Sequence, residues 1–275
     1  MKKTTIVLFA AVFVLLSMTA ACARKDTGSP AGEIHTGDII YFGSEDPDIR
    51  FDRAWRVLDA EKTNTGEPGM FLVCENLIGS DEEQGMCFRN ESAPVSNAYR
   101  GSDAQKWCAG FYESHFSEAE KAAMLETTKS DAAYAKEHVF DFSFSGEAGQ
   151  NTAATVNFDA VENILDGDKI FLLSAEEADR AEYGFVDADS RIVAFGGEPA
   201  NWWLRSPHDP SFPIDVGIVF FNGWLLDYYE NQDHVFGTGP ICMRPAFNLD
   251  TEKILSVKSV GEGAWELSLV GESAA

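Results

Sequence analysis

Residues 201–207 read NWWLRSP, and the reading of this stretch decides the fold. As a strand it sets Trp202 and Trp203 on opposite faces, because successive side chains of an extended chain alternate. Residues 214–220, 224–229 and 241–249 follow as further strands rich in aromatic and branched side chains. Phe221-Asn222-Gly223 supplies the Asn-Gly turn that favours a tight hairpin. At the C-terminus, residues 254–260 and 265–270 flank Gly261-Glu262-Gly263 and predict another hairpin.

Working upstream, the period changes. Ala104, Trp107, Cys108, Phe111 and Tyr112 recur at three and four, the stripe of an amphipathic helix. Ser102 with Gln105 and Ser117 with Glu120 make capping boxes for two consecutive helices. Ser174 with Glu177 predicts a third, ended by Gly184. Residues 38–43, 53–58, 70–74 and 169–173 read as strands. Residues 128–160 are rich in Ser, Ala, Gly and Asn, with Phe140, Phe142 and Phe144 alternating, and are expected to form a long surface insertion with one short strand. Asp166-Gly167-Asp168 reads as a turn. Helices in the middle and strands at both ends indicate an α+β domain rather than alternating βαβ units.

The N-terminus carries Lys2 and Lys3, an apolar run over residues 6–16, and Ala20-Ala21 directly before Cys22. A basic start, a short apolar core and small residues before a cut describe a signal peptide over residues 1–21. The run is shorter than the roughly 20 residues a membrane span needs. Ala20-Ala21-Cys22 resembles a bacterial lipobox, which makes Cys22 the expected lipidation site and residues 22–36 a flexible tether. The protein is then expected on the extracytoplasmic face of the cell membrane, held by its lipid anchor. Cleavage near Ala21 and free secretion is the alternative.

The net charge is −24, and removing residues 1–21 takes away two lysines and no acids. Such a balance argues against nucleic acid or anionic lipid as partners, since both need basic patches. Hydrophobic residues at 45% are enough for a large core over residues 37–250, with residues 251–275 forming the C-terminal hairpin and tail. Cys74, Cys87, Cys108 and Cys242 remain after cleavage. In an exported protein an even number permits disulfides, and Cys74 with Cys87 is the first pairing expected. Four buried thiols are the competing expectation.

Residues 201–207, a Gly-containing hairpin, and then Met243-Arg244-Pro245-Ala246-Phe247-Asn248-Leu249 closely resemble the end of an uncharacterised bacterial family, domain of unknown function 6273. Residues 40–43, 55–58 and 71–73 are similar to its opening strands, and residues 102–111 with Phe116, Ser117 and Glu120 to its tryptophan-bearing helix pair. Residues 169–174 with Glu176 and Glu177 are similar to its strand-to-helix step, so the resemblance spans residues 37–250. Cys108, Cys242 and His208 stand where the family pattern has other residues. The tandem-tryptophan strand and the Arg-Pro strand look like C-type-lectin-like modules. The resemblance therefore implies a single C-type-lectin-like domain with antiparallel strands, two to three short helices and a C-terminal β-hairpin. It carries no established activity, and fold does not give function.

The candidate chemistry is that of binding. Trp203 and Trp224, with Trp202 beside them, offer ring faces and N–H donors to a sugar. Arg205 and Arg244 offer planar forks for a ligand or for ordering the loop after Pro207. All of these also suit purely structural roles. Glu198 with Asn201 loosely resembles the Glu-Pro-Asn calcium and sugar motif of C-type lectins, one residue too long, so calcium is the one cofactor considered. Asp187-Ala188-Asp189 fails as a calcium loop because Arg191 and Ile192 occupy ligand and turn positions. No Gly-x-Ser-x-Gly elbow, zinc helix, phosphate loop or Cys-x-x-Cys occurs. The expected function is a non-catalytic surface module for a glycan or protein ligand. The alternatives are an envelope-assembly lipoprotein and an unrecognised hydrolase.

Overall fold

The computed structural model describes residues 30–79, 86–88, 96–141, 151–159, 164–208, 211–230, 235–236 and 239–272. Residues 1–29, with the expected signal peptide and Cys22, lie outside this set. In chain order the strands and helices begin with β1 (Ile39–Tyr41), β2 (Ala54–Asp59), β3 (Met70–Cys74), α1 (Asp103–His115) and α2 (Glu118–Ala123). Next come β4 (Thr127–Ser130), β5 (Tyr134–Asp141), β6 (Asn151–Phe158), β7 (Ile164–Asp168) and β8 (Ile170–Leu172). After these lie β9 (Ala194–Phe195), β10 (Glu198–Pro199), β11 (Asn201–Pro207), β12 (Asp215–Val219) and β13 (Leu225–Glu230). The last are β14 (Val235–Phe236), β15 (Gly239–Cys242), β16 (Pro245–Leu249), β17 (Ile254–Gly261) and β18 (Ala264–Leu269). The described residues are thus mainly strands with two α-helices, an α+β architecture.

Two sheets carry the fold. The larger has the order β17-β18-β1-β2-β3-β16-β8. Its neighbours are antiparallel except β18 and β1, which run parallel with Ile39 opposite Ala264. The smaller has the order β13-β12-β11-β15-β14, with β11 and β15 parallel. The stretch 241–249, expected as one strand, is two. The chain leaves the smaller sheet at Cys242 and enters the larger at Pro245, and Arg244 sits at that corner. Proline suits the start of a strand because its missing N–H forfeits no interior ladder bond. The amide of Arg205 also donates to Leu173 O at 2.9 Å, which ties β11 to the end of β8.

β11 is buried on both faces along all seven residues. On one side the Trp202 ring lies against Arg244 and its Nε1 donates to Arg191 O at 3.3 Å. On the other the Trp203 ring lies 5.7 Å from Phe88 and its Nε1 donates to Met86 O at 2.5 Å. Each indole is enclosed with its single donor satisfied, as burial of a tryptophan requires.

Several expectations are corrected. Residues 30–33 form a 3₁₀ turn, and Ala31 and Ile34 are buried, so the tether expected through residue 36 gives way to folded chain by Pro30. The C-terminal hairpin is no appendage, since β18 is an interior strand of the larger sheet. The insertion at 128–160 holds an eight-residue pair, β5 with β6, besides β4, which pairs with β7. Phe142 and Phe144 lie outside the described residues. Asp166-Gly167-Asp168 is a bulge in β7, with Gly167 at φ +81° skipped in the pairing with β4. The third helix is replaced by two 3₁₀ turns, Glu177–Asp179 and Ala181–Tyr183, although Gly184 does end the run at φ +87°. The Cys74–Cys87 disulfide is not formed; the four described cysteines are all thiols. Burial pushes the Cys108 and Cys242 thiols up to about 12, which makes both inert at neutral pH.

Candidate functional site

The residues expected to touch a ligand are mostly enclosed. Trp203, Arg205 and Arg244 are buried, so they line the core and not a surface. Trp224 is half-buried at the β12–β13 turn and packs against the core. Asn201 is buried, and its Oδ1 accepts the Phe221 amide at 2.8 Å, while Glu198 stays exposed on β10. That oxygen is therefore committed to the hairpin. Among the described residues no three His, Cys, Asp or Glu side chains gather as for a metal.

Arg205 instead organises a buried ionic network. Its Nε and Nη2 donate to Asp131 Oδ2 at 2.9 and 2.7 Å. Its Nη1 and Nη2 donate to Glu177 Oε2 and Oε1 at 2.6 and 3.0 Å, and Nη1 also reaches Leu172 O at 2.6 Å. Lys129 Nζ donates to Glu177 Oε1 at 2.6 Å and lies 2.9 Å from Asp131 Oδ1, off the direction a hydrogen bond needs. Two acids thus face two bases. Burial alone would push the Glu177 carboxyl up, but Arg205 and Lys129 outweigh it and hold the group well below the usual carboxylate range.

Glu177 also fixes what lies above it. Its Oε1 accepts Asn64 Nδ2 at 2.9 Å. Asn64 Oδ1 accepts Asn248 Nδ2 at 2.8 Å, and Asn248 Oδ1 accepts the Asn64 amide at 3.0 Å. Asn64 belongs to a tight loop in which Thr63 N bonds Glu67 O at 2.9 Å and Gly66 takes φ +86°. Asp59 Oδ1 secures the start of the loop by accepting the amides of Glu61 and Lys62, both at 2.9 Å.

Between this loop and the second 3₁₀ turn lies an open cleft of about 570 Å³. One wall presents Lys62, Thr63 and Thr65, the other Arg180, Glu182 and Tyr183, with Asn64 in the floor. Arg180 bridges Glu176 Oε1 at 2.5 Å and Tyr183 Oη at 3.2 Å, and Tyr183 packs edge-on against Phe71 at 5.3 Å. The cleft therefore combines hydroxyls, an amide, both signs of charge and one aromatic side chain on a fixed base. A neighbouring cleft of about 610 Å³ sets Ile34, Ala60 and Pro68 beside His35, Asp59 and Glu61 and has no aromatic side chain in its lining beyond the His35 ring. Sequence reading missed Asn64, Arg180 and Tyr183. The only signal was Glu177, which was read as a helix cap.

One arrangement resembles a catalytic triad. Ser114 Oγ lies 2.9 Å from His115 Nδ1, and His115 Nε2 lies 3.0 Å from Asp46 Oδ2. Ser114 Oγ, however, donates back to Gly110 O at 2.7 Å within α1. Its proton is directed away from the imidazole, which leaves the histidine no hydroxyl to activate. These contacts close the C-terminal end of α1.

A family model described as Domain of unknown function (DUF6273) matches residues 70–251, more than half of the chain. No curated protein and no solved structure matches it. Among the described residues no helix is long and apolar enough to cross a membrane.

Proposed function

We propose, from the premise that this chain belongs to the domain of unknown function 6273 family, that it is a non-catalytic binding module whose ligand sits in the cleft of Asn64, Arg180 and Tyr183. The observation that carries this reading is the anchoring of the floor: Asn64 is fixed through Glu177 to the buried ionic network before any ligand arrives. A pre-set floor lowers the ordering cost of binding. The mixture of hydroxyls, amide, paired charges and ring edge suits a hydroxyl-rich ligand, which makes a glycan the favoured class. The basic start, the short apolar run and Ala20-Ala21-Cys22 support export and lipid anchoring at Cys22 on the extracytoplasmic face. The tandem-tryptophan and Arg-Pro strands support a C-type-lectin-like fold. In that reading calcium is not needed, since Asn201 is turned into the hairpin.

The test is a thermal-shift screen of purified residues 25–275 against cell-envelope glycans, with calcium and with chelator. A ligand at one hundred times its Kd adds about 2.7 kcal/mol of stability. A glycan should raise the melting temperature equally with and without calcium. Arg180→Ala combined with Lys62→Ala should remove the shift and leave the unliganded melting temperature nearly unchanged. No shift across the panel, or one that survives both substitutions, refutes this site.

A further inference from the structure

Lys129, Asn64 and Glu177 stand in the relation that an amide exchange needs. Lys129 Nζ and Asn64 Nδ2 both donate to one oxygen, Glu177 Oε1, at 2.6 and 2.9 Å, where Arg205 Nη2 also donates at 3.0 Å. A carboxylate only accepts, so the Asn64 nitrogen faces Glu177 and its carbonyl oxygen faces Asn248 Nδ2 at 2.8 Å. Asn248 is itself held, by the Asn64 amide on its Oδ1 and by Thr127 Oγ1 2.8 Å from its Nδ2. The carbonyl carbon of Asn64 thus has a donor on its oxygen, a proton relay at its leaving nitrogen and a primary amine on that same relay. A fixed donor aimed at an oxygen that gains charge is what stabilises a tetrahedral intermediate. Thr127, Asn248, Asn64 and Glu177 are all buried, which keeps water from competing.

We propose that Lys129 and Asn64 become joined by an intramolecular isopeptide bond. Lys129 passes a proton to Glu177, and its neutral amine attacks Asn64 Cγ while the oxygen leans on Asn248. Glu177 returns the proton to Nδ2 as the carbon–nitrogen bond breaks. One carbon–nitrogen bond forms, one is lost, and ammonia departs, carrying the surplus proton of Lys129 to solvent as ammonium. Glu177 ends as a carboxylate, and no oxidant or cofactor enters. Arg205 stays bonded to Glu177 as well as to Asp131, and because Lys129 and Arg205 balance Glu177 and Asp131, the proton transfer between Lys129 and Glu177 leaves the net charge of the pocket unchanged. The bond ties β4 to the loop that precedes β3. The inference does not rest on the cleft holding a ligand.

The experiment is intact mass under denaturing conditions, with a tryptic digest, on the purified full-length chain. The expected result is a mass short by one ammonia and a branched peptide joining residues 63–89 to residues 122–136, with no cleavage after Lys129. Lys129→Arg should restore the full mass and the two separate peptides. Because arginine keeps the charge facing Glu177, it also keeps the fold. A wild-type chain at full mass that is cleaved after Lys129 overturns the proposal. So does a deficit that persists in Lys129→Arg.

Discussion

Arg205 and Arg244 are the same residue type at the same depth, and their surroundings treat the charge in opposite ways. Arg205 has two carboxylates within hydrogen-bond reach. Arg244 has the carbonyl of Cys74 at 3.0 Å and the rings of Trp202 and Phe185 at 5.0 and 5.8 Å, while its Nη1 has no partner. Burial therefore pulls Arg244 down to about 10, with Glu75 only partly opposing. In Arg205 the effect of burial is outweighed, and its pKa is raised by Glu177 and Asp131. Removing Arg205 leaves two buried carboxylates to share Lys129 alone, which is costlier than losing an ion pair altogether. Arg205→Ala is expected to cost about 3–5 kcal/mol in a urea unfolding series. The pH dependence has a definite sign. Glu177 is held below its unfolded pKa of about 4.3, so its contribution is full above that value and fades as pH falls through the lower folded value. Arg205→Ala should flatten that acid limb.

At the scale of elements, short-range signals were legible and shared environments were not. The capping pattern at Ser117 and Glu120 gives the full reciprocal box, and Glu120 Oε1 further accepts the Gly43 amide at 2.7 Å, pinning α2 to the end of β1. At Ser102 the cap forms, but Gln105 reaches Gly101 N instead. Ser174 and Glu177 also exchange their bonds, yet no helix follows. The chain turns extended at Arg180 so that Tyr183 packs on Phe71, and tertiary contact overrides the local cap. Strand alternation said that Trp202 and Trp203 face apart; it had no means of saying that both sides are covered. In residues 128–160 the sequence shows one short strand but not the eight-residue pairing of β5 with β6, because the small and polar residues of β6 give no period to read. The cleft was illegible for a related reason: its walls lie far apart in sequence, and Glu177 is one of the residues that join them. The Asn-Gly turn, by contrast, read correctly, and it carries a prediction. A Cβ on Gly223 would stand 1.8 Å from Ala188 O at φ +81°, whereas one on Gly66 at φ +86° would meet nothing within 4 Å. Gly223→Ala should cost roughly 2–4 kcal/mol and Gly66→Ala about 1–2, measured by thermal unfolding.

For the whole molecule, the two sheets share one core, and the passage from β15 to β16 through Arg244 joins them covalently. The larger sheet depends on both distant parts of the chain, because β18 lies between β17 and β1. Removing residues 251–275 would bare β1 along Ile39–Tyr41 and take away β17, against which the turn at residues 30–33 packs. An exposed apolar edge invites intermolecular pairing. The truncated chain should lose its cooperative melt by circular dichroism and elute as aggregate in size-exclusion chromatography, where the full chain gives one transition and one peak.

The parallel pairing of Ile39 with Ala264 also sets an order in time. While the chain is being synthesised, β1 finds β2 within a few residues but waits for its other neighbour until residue 269 has emerged. Closing so long a loop is slow compared with forming either hairpin. Folding of the larger sheet is therefore completed only after synthesis has passed β18, and until then one flank of β1 stands open to pairing with other chains.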